Sequence, residues 1–407
     1  MRWSPNRDTA GAVLLSDFEQ LPLLTWLQVD GAGNRLVEVI EQPHYPSLTG
    51  ADGSPNIVAA WGGAAWDPVA QRLLITGGGH GDAHPCDTGV YALAAGRLQF
   101  TRVVDRQPLS VYQTYADGRF IDTLPYGYAW YSVPMKNGVP SSWHTYDGLV
   151  WVPPGVAGAG AVNGGLVIMG AARAVVNLDS GAYSTAHWYS QSNLWDWTYQ
   201  MAMLDGTVVF GPRSSFQHYR FDLAQTEATA WSPSSQGRML ASATSTKELT
   251  YNHKAFCWMR ERRQYVSFAG NQAAVRVRYG QAIDAGASNW TGYHDSIALT
   301  SSDGSHLDFS AANLRDTGTN LLCSAGADYD AVGACIWVQA NLAGSALYQI
   351  SGLDGSTWTT RRVNGPLALT IAAQGTFGRF RIASMGSARV ALRVTSTTTP
   401  IEVLRLA

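Results

Sequence analysis

Helical periodicity, long apolar runs, clustered cysteines and runs of like charge are all scarce in this 407-residue sequence, and each scarcity removes a class of protein. Charged residues are 14% of the chain, with a formal net charge of −2, against roughly 25% charged in an average soluble protein. Lys and Arg are scattered, the densest cluster being Arg260-Glu261-Arg262-Arg263, so the electrostatic footprint of a nucleic-acid binder is missing. No apolar run resembles a membrane span. The first thirty residues lack the basic start, continuous apolar stretch and small-residue cleavage site of a secretory signal. The expectation is a chain without a leader and without membrane insertion. Cys86, Cys257, Cys323 and Cys335 are too few and too widely spaced for a disulfide scaffold or a paired zinc motif. They are expected as buried small apolar residues, with Cys323 facing Cys335 across a hairpin as the alternative.

What is present is a series of short runs rich in Val, Ile, Leu, Tyr and Trp, set between clusters of Gly, Asp, Asn and Ser. That is the pattern of many short antiparallel strands, and it makes the chain all-β. The runs align into a repeat: a first strand, a turn, a second strand ending in small residues, a loop, a third strand with Tyr or Val, and a fourth bearing Trp or Thr. Its clearest copy spans Trp61 to Val103, and others span His144 to Trp188, Tyr199 to Trp231, His253 to His294 and Ser324 to Val363. A last copy ends at Leu406 with three strands, and Leu24 to Val29 resembles the missing fourth.

Four-stranded repeats arranged around a channel solve the problem of exposed sheet edges. The expected fold is therefore one domain over 1–407, a six- or seven-bladed β-propeller closed by an N-terminal strand. Residues 1–58 form the lead that carries this strand, 105–141 form an insertion between blades, and 105–141 and 295–320 are where a seventh blade would lie. The stretches WDPVAQRLLITGGGHGDA, WHTYDGLVWVP and GTFGRFR resemble landmarks of kelch-like β-propeller proteins of bacteria and their phages. The resemblance spans most of the chain and implies the fold; a propeller hosts many unrelated functions.

In such a blade, the loop between strands two and three and the connection into the next blade emerge on one face. That rim collects His80, Asp82 and His84 from one loop, with Trp143, His144, Tyr146, Trp197, Tyr199, Tyr251, Asn252, His253, Phe377 and Arg379 from blade connections. Three chemistries compete for it. Alternate residues of an extended segment point the same way, so His80, Asp82, His84 and Cys86 would present metal ligands together, zinc being the suitable ion. Gly81 and Pro85 suggest a turn instead, and no metal or other cofactor is favoured. Polysaccharide β-elimination would use Arg379 to neutralise a uronate carboxyl, His144 or His253 as base, and Tyr146 or Tyr251 as acid. Recognition without catalysis would use His80, Asp82, His84, Trp130, Trp143, Tyr199 and Tyr251 to stack on and hydrogen-bond sugars.

Bland alternatives stand beside these: Gly77 to Gly79 as a strand ending, His80 and His144 bonding loop carbonyls, and Arg379 as a bridge between blades. The expected function is a non-catalytic recognition or structural module, a phage tail or baseplate component that binds a surface glycan or a neighbouring virion protein. Its expected location is a virion or the cytoplasm of the producing cell, with oligomers only through assembly in a virion. A lyase acting on a uronic-acid polymer is the alternative.

Overall fold

The computed structural model describes residues 1–40, 56–59, 62–77, 89–106, 145, 147–156, 158–169, 172–183, 187–188, 202–205, 208–214, 217–222, 238–239, 255–270, 273–279, 289–290, 292–304, 325–339, 346–367, 370, 372 and 375–407. Strand β1 (Arg2–Trp3), helix α1 (Leu15–Glu19), strand β2 (Leu27–Val29) and helix α2 (Asn56–Ala59) come first. From Ala65 the chain runs as antiparallel meanders. β3 (Ala65–Asp67), β4 (Arg72–Ile75), β5 (Val90–Ala94) and β6 (Gln99–Val104) form one sheet, with each strand hydrogen-bonded to the next. β7 (Leu149–Val152), β8 (Gly165–Met169), β9 (Ala172–Asn177) and β10 (His187–Trp188) repeat the arrangement. β11 (Ala202–Asp205), β12 (Val208–Ser214) and β13 (Gln217–Asp222) form a three-stranded version.

β14 (Arg238–Met239) belongs to none of these. The next meander is β15 (Phe256–Met259), β16 (Gln264–Gly270) and β17 (Ala273–Tyr279), then, after β18 (Asn289–Trp290) pairs in parallel with β14, β19 (Gly292–Ser301) on β17. Another follows in β20 (Gly326–Asp330), β21 (Cys335–Gln339), β22 (Ala346–Ser351) and β23 (Thr357–Leu367), and parallel pairing of β19 with β23 fuses the two into one eight-stranded sheet. The last sheet is β24 (Phe380–Met385), β25 (Ala388–Arg393) and β26 (Glu402–Arg405). β2 joins it antiparallel on β26, Leu27 opposite Val403, and β1 adds to β2 in parallel.

First strands touch one another in series: β3 beside β7, β7 beside β11, β15 beside β20 and β20 beside β24. A 3-10 turn at Phe377–Arg379, just ahead of β24, lies against β3, so the last sheet meets the first. Sheets packed face to face around their first strands are a β-propeller arrangement.

Alternation along the strands produces this packing, because neighbouring side chains leave opposite faces of a sheet. On β4, Leu73 and Ile75 pack with Phe18, Val390, Leu392 and Val403 toward the last sheet, whereas Leu74 packs with Val90, Leu149, Trp151 and Leu166 toward the second. Val266, Phe268, Ile336 and Trp358 fill the space between the two fused meanders. Trp26, Trp337, Leu347, Phe380 and Leu404 fill the next gap, and Trp26 Nε1 donates to Gln339 Oε1 at 3.0 Å.

The turns from first to second strand share a device. Asp67 Oδ1 accepts the Val69 and Ala70 amides at 3.0 and 3.1 Å, and Asp330 Oδ1 accepts the Gly333 amide at 2.9 Å. In both turns the residue before the second strand is left-handed, Gln71 at φ 47° and Ala334 at φ 49°; Arg263, at φ 50°, repeats this ahead of β16. The carboxylate's bonds to turn amides hold a conformation that glycine alone adopts freely.

One expectation shifts, and burial of the described cysteines is as expected. Within the repeat ending at His294, the fourth strand is β19, beginning at Gly292, while Asn289–Trp290 pairs elsewhere. Cys257 and Cys335 are free and buried, and Gln349 Nε2 donates to Cys335 Sγ at 3.3 Å; Cys86 and Cys323 lie outside the described residues.

Closure by β2 is directly testable. The Val29 amide donates to the Ile401 carbonyl at 2.9 Å and its side chain is buried. Val29→Pro removes that donor and is expected to cost about 3 kcal/mol or more, read as a lowered urea midpoint.

Candidate functional site at the closing seam

Of the rim residues singled out in the sequence, His80, Asp82, His84, Trp130, Trp143, His144, Tyr146, Tyr199, Tyr251 and His253 lie outside the described residues, as does most of 105–141. Arg379 is described. The structure places it inside the ring rather than on an exposed rim, with no solvent-accessible surface. Phe377, from the same stretch, is also buried.

Arg379 closes the ring through main-chain carbonyls. Its Nε donates to Gly62 at 2.7 Å, Nη1 to Val394, and Nη2 to Gly375 and, at 3.4 Å, to Val58. The guanidinium fork suits this task because its donors lie in one plane and point apart. Two of the acceptors belong to the stretch before β3 and two, Gly375 and Val394, flank the strands of the last sheet, so a single side chain ties the first and last meanders together. Close approach supports the bond set: a Cβ on Gly378 would collide with the Ala64 carbonyl, and one on Gly62 with the Ile57 carbonyl. Burial and the nearby Arg393 guanidinium push Arg379 down to about 9, partly offset by Asp147. It stays cationic at neutral pH.

Asp147, two residues ahead of β7, shares the same interior. Burial pushes its carboxyl up to about 7, opposed by the Arg381 and Arg379 charges and by the Gly378 amide, which donates to it. Beside it Thr145 is buried, and its Oγ1 accepts the Gly63 amide at 2.7 Å. Arg381 on β24 pairs with Asp328 on β20, Nη1 to Oδ1 at 3.1 Å, and the Ile382 amide donates to Asp328 Oδ2 at 2.8 Å. Burial raises Asp328 above the usual carboxylate range despite those partners. The Cys257 thiol on β15 is pushed well up by burial first and by Asp328 next, which removes the thiolate that nucleophilic chemistry requires.

A second interior network flanks the first. Arg393 and Glu402 are fully buried and paired at 3.3 Å, with Thr370 Oγ1 donating to Glu402 Oε1 at 2.6 Å and lying 2.7 Å from Thr395 Oγ1. Gln28 of β2 also hydrogen-bonds Glu402, which links the closing strand to the charged interior. Burial still raises Glu402.

These groups can hold segments together and, at Asp147, exchange a proton near neutral pH. Among the described residues no three His, Cys, Asp or Glu side chains gather as a metal site. Asp147, Asp328 and Arg381 were not singled out from the sequence. Asp147 sits in a Tyr-Asp-Gly stretch that has the composition of a turn, and Asp328 alternates with apolar residues as an outward polar position would.

If carbonyl bonding is the task of Arg379, keeping its charge will not preserve it. Arg379→Lys is expected to destabilise about as much as Arg379→Met, by roughly 3–5 kcal/mol, because one ammonium cannot reach separated carbonyls and those left are buried and unpaired. Urea midpoints at constant m-value measure this; a Lys variant near wild-type stability would count against it.

No protein-family model matches the sequence, and no curated protein matches it. Solved structures similar to it include Saccharomyces cerevisiae Sqt1, 9% identical with a TM-score of 0.38 over 84% of this chain and 83% of that one. A chain of a mitotic checkpoint complex is 10% identical with a TM-score of 0.39 over 93% of this chain and 96% of its own. U3-55K is 9% identical with a TM-score of 0.40 over 90% and 100%.

Proposed function

We propose that this chain is a six-bladed, kelch-like β-propeller that acts as a non-catalytic recognition or structural module. Six first strands open meanders among the described residues, β3, β7, β11, β15, β20 and β24, and contacts of β3 with β7, β7 with β11, β15 with β20 and β20 with β24 support that number. The single domain spans 1–407, with 105–141 as an insertion between blades. The loop rim binds a surface glycan or docks a neighbouring virion protein in a phage tail or baseplate, and the chain resides in the virion or in the cytoplasm of the producing cell. The resemblance to kelch-like proteins of bacteria and their phages supports that setting.

One observation carries the preference for recognition over β-elimination. A lyase needs a cation free to neutralise a sugar carboxylate, and every nitrogen of Arg379 donates to a main-chain carbonyl. A scaffold whose charges are spent inward leaves recognition to the aromatic, His and Asp side chains of its loops, with His80, Asp82, His84, Trp130, Trp143, Tyr199 and Tyr251 as the contact residues.

On an array of bacterial surface glycans, the purified protein is expected to retain one glycan class. Incubated with acidic polysaccharides, it is expected to give no rise in ultraviolet absorbance from unsaturated uronate ends. Release of such ends, abolished by His144→Ala, would overturn this reading. Stoichiometric recovery in a particle without glycan retention would confine the role to docking a virion protein.

A further inference from the structure

Three separate stretches of chain meet where the ring closes: 58–59 and 62–64 ahead of β3, 145 and 147–148 ahead of β7, and 375–381 leading into β24. Asp147 lies among them, 7% exposed, with the Gly378 amide donating to its carboxyl. From the 3-10 turn it faces Arg379, whose donors are committed to carbonyls. From β24 it faces Arg381, which is paired with Asp328 of β20. From β15 the Cys257 thiol senses it. Residues 58–59 and 62–64 offer main-chain groups, and the Thr145 hydroxyl of its own stretch is occupied by the Gly63 amide.

Among the described residues, then, Asp147 has cations nearby but no ion pair within contact distance. A buried carboxyl so placed has two ways to avoid the cost of an unpaired charge: it keeps its proton, or its surroundings part and admit water. Those surroundings also hold stored strain. Phe377 is buried with φ 44°, a left-handed conformation that bulky side chains rarely adopt and that costs about 1–3 kcal/mol.

We propose that Asp147 is a proton-operated latch on the ring: with its carboxyl protonated the seam between the last sheet and the first two is tight, and ionisation loosens that seam. Burial, the largest influence on the group, brings its titration to about pH 7. The sign follows from proton linkage. The folded state holds a proton that the unfolded state releases, so the stabilisation is complete below the ordinary carboxyl range and is lost as pH rises from there to about 7. Asp328 and Glu402, also raised by burial, act in the same sense, whereas Glu19, Asp179 and Asp354 are lowered and act oppositely. A comparison with Asp147→Asn, which fixes the neutral form, isolates the one group.

Urea unfolding of both proteins at pH 5, 6, 7 and 8 is the test. The wild-type folding constant, divided by that of the variant, is expected to fall by up to about tenfold per pH unit toward pH 7 and then level off; a ratio constant within twofold across the range overturns the proposal. Amide hydrogen exchange on the wild-type protein gives a second reading that does not require the variant to fold. Corrected for intrinsic rates, protection at 58–59, 62–64, 147–148 and 375–381 is expected to drop between pH 5 and 8 relative to β16 and β21. Protection that stays level, or that changes equally in all segments, overturns the latch.

Discussion

A ring of sheets is only as sound as the junction between its first and last members, and here that junction rests on the buried guanidinium of Arg379. Hydrophobic packing brings the two sheets together through Leu73, Ile75, Val390 and Val403, but packing is non-directional and does not fix register. Four carbonyls on the two sides converge on one cation. Withdrawing it would strand buried acceptors, each costing about 1–3 kcal/mol. Nothing shorter or less branched does the same work. Among the described residues the fully buried cations are Arg276, Arg379 and Arg393.

The propeller was legible because its strands alternate cleanly and its repeats begin close to where the meanders begin. Strand ends were less so. Asn289–Trp290 carried the tryptophan expected of a fourth strand, yet the residues that pair with β17 start at Gly292. The deciding interaction there is Asp295 on β19, which receives Arg276 Nε at 3.0 Å and also pairs with its Nη2. Nothing in local spacing reveals a partner of that kind. The left-handed residues Gln71, Arg263 and Ala334 were equally hidden, since none is the glycine that usually marks such a position.

The site was legible as a location and not as a depth. Phe377 and Arg379 were read as part of a rim because they precede a first strand, and they do precede one, β24. Sequence gives order along the chain, whereas exposure depends on how far neighbouring segments close over a position. Val58 and Gly62 close over Arg379 from more than three hundred positions away, as its bonds to their carbonyls show. Among the readings weighed for Arg379, bridging between blades is the one its bonds describe. Asp147 escaped notice for the same reason, since its environment is supplied by Gly378, Arg379 and Arg381 from the far end of the chain.

Stiffness is distributed unevenly around the ring, and that gives the closing seam its importance. The two meanders from β15 to β23 are one continuous sheet through the β19–β23 pairing. Arg276 reinforces it by reaching from β17 to the Leu353 and Gly355 carbonyls at 2.9 and 3.0 Å while lying 5.7 Å from the Trp358 ring centre. Backbone ladders resist shear that side-chain packing alone permits, so this part of the ring moves as a unit. Any mismatch between the summed angles of the sheets and a full turn must then be absorbed elsewhere. The seam between the last sheet and the first two joins through side chains, a five-stranded closure and the left-handed Phe377, without a continuous ladder between the sheets. Asp147, Arg379, Arg393 and Glu402 are buried at that end of the ring, where groups with directional bonds hold a junction that the described sheet ladders do not cross.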